Sequence, residues 1–169
     1  MFEFNADSVL QGVLGFNRSK TKGESADNDS VVDLDLNYAY SLPQMPRIQV
    51  GARVMYNIGS EAAMGDFENY GMQIGAIYNH SADLRNSIYL SLYGGLAWYN
   101  RYGAGSTPDD EVISSTLALG KRISLENWGI NHLVYTPEIA LHSENSTTGS
   151  TIEYTQNLEL RFLQFSLFF

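Results

Sequence analysis

The chain has no cysteine among its 169 residues, which removes disulfides and thiolate metal sites in one step and suits an exported protein. Basic residues are few. Ten Lys and Arg stand against 19 Asp and Glu, a net charge of -9 with an isoelectric point near 4.6. Without a basic stripe to neutralise phosphates, nucleic acid is excluded as a partner, and cations are favoured over anions. No run approaches the roughly 18 uninterrupted apolar residues of a membrane helix, which excludes that mode of spanning. The opening Met1-Phe2-Glu3-Phe4 lacks a basic segment followed by an apolar one, so no signal peptide is read there. For an exported protein this leads us to expect the mature form, with Met1 added for expression. No composition shift marks a linker, and residues 1–169 are read as one domain.

What is present favours strands. Eleven Tyr against two Trp, together with 15 Gly, suit extended segments and tight turns better than helices. The mean hydropathy of -0.20 resembles that of a soluble protein. A barrel wall, however, shows lipid only every second residue, so its average hydropathy is unremarkable.

Period-two alternation recurs along the chain and puts one set of side chains on each face of a strand. Leu10, Leu14 and Phe16 oppose Gln11, Gly15 and Asn17, and a polar stretch from Lys20 to Ser30 follows as a loop. Val32, Leu34, Leu36, Tyr38, Tyr40 and Leu42 oppose Asp33, Asp35, Asn37 and Ser41. After the turn Pro43-Gln44-Met45-Pro46, Ile48 to Ile58 alternate with Gln49, Gly51, Arg53 and Asn57. A loop from about Gly59 to Asn69 leads to Tyr70, Met72, Ile74, Ala76 and Tyr78 against Gly71, Gln73, Gly75 and Asn79. Beyond the turn Ser81 to Asn86, Ile88, Leu90, Leu92, Leu96 and Trp98 oppose Tyr89, Ser91, Tyr93, Ala97 and Tyr99. The loop Gly103 to Glu111 precedes Ile113, Leu117, Leu119 and Ile123 against Ser114, Thr116, Gly120 and Arg122. Leu133, Tyr135, Ile139 and Leu141 oppose His132, Thr136, Glu138 and His142, with Pro137 unable to donate to a ladder. Finally Ile152, Tyr154, Leu158, Leu160 and Phe162 oppose Glu153, Thr155, Asn157, Glu159 and Arg161. The apolar phase slips near Leu163, where a bulge is expected.

These eight runs, joined by connections that alternate short and long, predict an all-β fold: a single eight-stranded antiparallel up-and-down transmembrane β-barrel. A soluble sandwich or lipocalin-like barrel would instead bury the apolar set. If the first strand runs outward, Phe16, Tyr56, Tyr70, Trp98, Tyr102 and Tyr154 fall at the outer strand ends. Tyr38, Tyr40, Tyr78, Trp128, Tyr135 and Phe169 then fall at the inner ends. Two aromatic belts flanking an apolar band match the two membrane interfaces.

The chain ends in Phe169, preceded at alternate positions by Leu167, Phe165 and Leu163. This resembles the C-terminal signal read by the bacterial barrel-assembly machinery. Over essentially its whole length the chain resembles the small eight-stranded family typified by the OmpA transmembrane domain, OmpX and the Opa-type surface proteins. The resemblance implies residence in the bacterial outer membrane among phospholipid and lipopolysaccharide, with the assembly machinery as a partner during biogenesis. Functions in that superfamily range from anchoring to adhesion to small-pore activity, and fold alone does not choose among them.

An interior of eight strands is about wide enough for side chains to fill. The predicted inward set carries both signs: Asp33, Asp35, Arg47, Arg53, Arg101, Arg122, Glu138, His142, Glu153, Glu159 and Arg161. Register counted from the Pro43 to Pro46 turn places Asp35 close beside Arg53, and a paired polar core is expected. Two enzymatic types of small barrel modify lipid A, and neither pattern is met here. The lipid A deacylases use a His and a Ser two residues apart, whereas His142 and Ser143 are adjacent and point to opposite faces. The palmitoyltransferase type begins with an amphipathic helix, for which the segment before Val9 is too short. No metal site or cofactor is expected, since His80, His132 and His142 lie on separate segments without HxH or HExxH spacing. Three acidic loop groups (Glu24, Asp27, Asp29; Glu61, Asp66, Glu68; Asp109, Asp110, Glu111) read first as solubilising, and only second as cation-attracting. The function expected is that of a non-enzymatic surface barrel serving envelope integrity or an unidentified surface ligand. A small pore and a lipid-modifying enzyme are the alternatives.

Overall fold

Alternating β-branched, aromatic and small polar residues fit a pleated wall with one oily and one polar face. A computed structural model describes residues 8–19, 29–61, 65–102, 110–148 and 151–168. Its strands are β1 (Ser8–Ser19), β2 (Asp29–Leu42), β3 (Met45–Glu61), β4 (Gly65–Asn79), β5 (Ile88–Tyr102), β6 (Asp110–Lys121), β7 (Ile123–Ser124), β8 (Leu133–Tyr135), β9 (Glu138–Thr148), β10 (Thr151–Arg161) and β11 (Gln164–Phe168). Short 3-10 turns occupy Leu84–Asn86 and Glu126–Trp128.

All pairing is antiparallel, and β1 to β6 pair in chain order. The remaining six segments make three spanning strands, because β6 and β7 face β9 and β8, which in turn face β10 and β11. That gives eight spanning strands. β11 pairs with β1, with Val9 opposite Phe168, so the ladder returns to its start and the sheet closes. From Val9 one ladder runs through Ala39, Gly51, Gly75, Tyr93, Thr116 and His142. It reaches Asn157, eleven positions short of Phe168. This stagger is the shear that strand tilt imposes on a closed barrel.

The phase slip near Leu163 is a bulge: Arg161 faces Glu138 while Phe165 faces Tyr135, four residues against three. The seventh strand breaks at Thr136 and Pro137, where the Thr136 amide donates to Gln164 O at 2.9 Å and Pro137 O accepts from Lys121 at 3.1 Å. The loop expected from about Gly59 to Asn69 is shorter than the sequence implied. Pairing continues from Gly59 opposite Phe67 to Glu61 opposite Gly65, and β9 and β10 likewise stay paired from Ser146 opposite Glu153 to Thr148 opposite Thr151. A ladder continues wherever both backbones supply partners, whatever the polarity of the side chains, so polarity alone marks a loop too early.

Alternation sorts the two faces. Leu34, Leu36, Val50, Ile74, Leu90, Leu92 and Leu117 are exposed on the outside, Ile74 at 75% and Leu92 at 60%. Asp35, Asn37, Gln49, Arg53, Gln73, Tyr89 and Tyr93 are buried inside. Glycine makes room for the inner rings. A Cβ on Gly75 would sit 2.7 Å from the Tyr93 ring and one on Gly51 3.0 Å from its hydroxyl, so Tyr93 lies flat across both strands.

Candidate functional site

The lumen of this barrel gathers its charges into one connected group. The Arg53 guanidinium on β3 donates to the Asp35 carboxylate on β2, both nearly fully buried. They are diagonal rather than opposite: Arg53 pairs with Asn37 and Asp35 with Met55, the register shifting at Ser41 and Leu42. Arg161, the last residue of β10, reaches three carboxylates, Asp35 at 3.5 Å, Glu138 at 3.1 Å and Glu159 at 2.6 Å. The second oxygen of Glu138 accepts from the Tyr89 hydroxyl at 2.7 Å. Tyr89 in turn lies under Arg122, 4.8 Å from guanidinium to ring centroid. Three arginines and three carboxylates thus connect across the interior, the arrangement a low-dielectric core needs before it can hold charge.

Arg122 is fully buried, with no carboxylate within ion-pair distance among the described residues. Its Nη1 donates to Asn79 Oδ1 at 2.6 Å and Gln49 Oε1 at 3.0 Å. The Phe168 ring lies 5.4 Å away, so the cation is held by two rings and two amides. Around it the rim that carries Ser8 and Phe168 is stitched across. Arg85 pairs with Glu126, Ser124 N donates to Asn86 Oδ1 at 3.1 Å, and Leu84 packs on Val134 and Phe168.

Higher in the lumen Tyr93 donates to Asn37 Oδ1 at 3.0 Å, and Gln73 links Ser114 and Thr116. His142 has its Nδ1 3.0 Å from Thr116 Oγ1 and its Nε2 2.9 Å from Glu144 Oε1. A hydroxyl, an imidazole and a carboxylate therefore stand in line, the order of a nucleophilic triad. Thr116 is only 1% exposed and its hydroxyl is also within bonding distance of Gln73 Oε1. Ser143 bonds Gln156 instead, away from the imidazole.

Of the predicted lumen residues, Asp35, Arg53, Arg122, Glu138, His142, Glu159 and Arg161 line this interior. Arg47 does not: it is exposed at the rim, because the Pro43 to Pro46 turn is already leaving the barrel there. The side chains of Asp33, Arg101 and Glu153 lie outside the described residues. In the predicted belts Tyr38, Tyr56, Tyr70 and Tyr78 are exposed outward, Tyr40 and Tyr135 are partly exposed, and Tyr70 stacks on Trp98 at 5.6 Å. Trp128 differs, lying 80% exposed in a turn beyond the end of β7 rather than on a strand. Side chains of Phe16, Tyr102, Tyr154 and Phe169 fall outside the description. In the terminal signal Phe165 and Leu167 point out, Leu163 sits in the bulge, and Phe168, which follows Leu167, turns inward. Reading charges alone missed Tyr89, Tyr93, Gln49, Asn79, Thr116 and Gln164. All but Gln164 were already legible as inward positions in the alternation. Among the described residues no three His, Cys, Asp or Glu side chains group as a metal site.

No protein-family model matches the sequence, and no curated protein matches it. Solved structures do match in fold. Neisserial surface protein A superposes with a TM-score of 0.65 at 12% identity, covering 98% of both chains. The Yersinia pestis outer membrane protein Ail, determined in a phospholipid bilayer nanodisc, superposes at 0.51 and 17% identity, covering 98% of this chain and 100% of that one. The chain has the fold of the small eight-stranded outer-membrane β-barrels.

Proposed function

We propose that the chain is a closed, non-enzymatic barrel of the bacterial outer membrane, serving the envelope or a surface ligand through its loop rim. The observation that carries this reading is the connected group Arg53, Asp35, Arg161, Glu138, Tyr89 and Arg122, which crosses the interior from wall to wall. A conducting lumen would keep such groups hydrated and separable; paired and desolvated, they replace an oily core. The stitched rim at Arg122 and Phe168 adds a second barrier. An exposed apolar outer wall supports lipid as its surrounding medium, with lipopolysaccharide in the outer leaflet, and the ending Phe165, Leu167, Phe169 suits recognition by the assembly machinery. The enclosed Thr116 hydroxyl supports a role other than catalysis.

The test is electrical. In planar bilayers the reconstituted chain should give no steady single-channel steps, and Arg161→Ala should introduce them or abolish folding. Steady, ion-selective currents from the unmodified protein would overturn the closed reading in favour of a small pore.

A further inference from the structure

A small cavity of about 20 Å³ lies inside the lumen, and its lining includes Arg53, Tyr89, Ser91, Glu138, Arg161 and Gln164. Gln164 opens β11 directly after the bulge and is fully buried. Neither its Nε2 nor its Oε1 meets a hydrogen-bond partner in the protein. A buried carboxamide left without partners is costly, and native interiors satisfy such groups with protein or ordered water.

The lining selects the occupant. Arg53 and Arg161 present positive charge while Glu138 presents negative charge, so an ion of either sign would meet its like. A neutral dipole that both donates and accepts fits the polar walls. The volume exceeds the roughly 10–15 Å³ that one water requires and leaves no room for an organic ligand. We propose that this cavity is a specific binding site for a single long-lived water molecule, held by the Gln164 carboxamide and the charged groups opposite. The inference rests on the closed reading above, since only a sealed lumen keeps one water from exchanging with a column of others.

Oxygen-17 relaxation dispersion on the full chain in detergent micelles tests it, because the amplitude counts waters that stay longer than the particle tumbles. Gln164→Met, apolar and of similar size, should lower that amplitude by one water relative to the unmodified chain. A crystal structure of the unmodified chain should carry one isolated water within hydrogen-bond distance of Gln164, which keeps the test available if the variant fails to fold. An unchanged amplitude in Gln164→Met, or no water beside Gln164, overturns the site and leaves the closed barrel standing. A continuous file of waters through the lumen, accompanied by single-channel currents, overturns both.

Discussion

Strands β2 to β5 run for 14, 17, 15 and 15 residues without interruption, whereas the next three spanning strands are each broken. The breaks fall at Arg122, at Thr136 with Pro137, and at Phe162 with Leu163, on neighbouring strands close to one rim. The two sides fill the lumen differently. The unbroken wall carries one ion pair, Asp35 with Arg53, and otherwise uses rings, amides and glycine, with Tyr93 laid over Gly75 and Gly51. On the broken wall, charge gathers at the interruptions: Arg122 fills one gap, Glu138 follows Pro137, and Arg161 precedes the bulge. The Arg122 amide still donates to Ser87 O at 2.8 Å, in register with Ile88 opposite Lys121, so the β5 side of the ladder runs on past that break.

The sharpest way to break this contrast is Arg161→Ala. It strips the shared cation from Asp35, Glu138 and Glu159, and removing one partner from a buried charge group costs about 3–5 kcal/mol. Urea titration in lipid vesicles should show the loss, and adding Glu159→Gln should restore part of it. A stability equal to the unmodified chain would mean that the charges are hydrated and independent. On the unbroken wall a loss is expected from Gly75→Ala, whose new Cβ would clash with the Leu92 carbonyl oxygen and meet the Tyr93 ring at 2.7 Å. Overpacking of this kind costs roughly 1–3 kcal/mol, again measured by urea titration. No loss would show that neither the strand backbone nor the Tyr93 ring is pinned there. The smallest effect belongs to Pro137→Ala. Thr136 N, Lys121 N and Arg122 N already have partners around the break, so the change should fall within about 0.5 kcal/mol. Strong stabilisation, with new amide-exchange protection across residues 135–138, would make the proline itself the cause of the break.

Much of the site was legible from alternation because inward and outward positions differ by one residue, and a wrong phase would put Asp35 or Arg53 into lipid. The partner choices were less legible. Turn counting brought Asp35 and Arg53 near each other, but the shift at Ser41 and Leu42 makes the contact diagonal and lets Arg161 share the same carboxylate. Arg47 has the right parity and still lies outside, since parity says nothing about where a strand leaves the barrel. His142 has Ser143 beside it in the chain, yet its hydroxyl partner is Thr116, 26 positions away and opposite it in register.

By itself the sequence determined the period, the number of spanning runs and the face on which each side chain stands, because these depend only on neighbours along a strand. The tertiary structure decided which inward residues meet. Closure with its stagger brings β10 to β2 and turns Phe168 in upon Arg122. Those distances depend on strand tilt and on the stagger with which the sheet closes, which no single strand encodes.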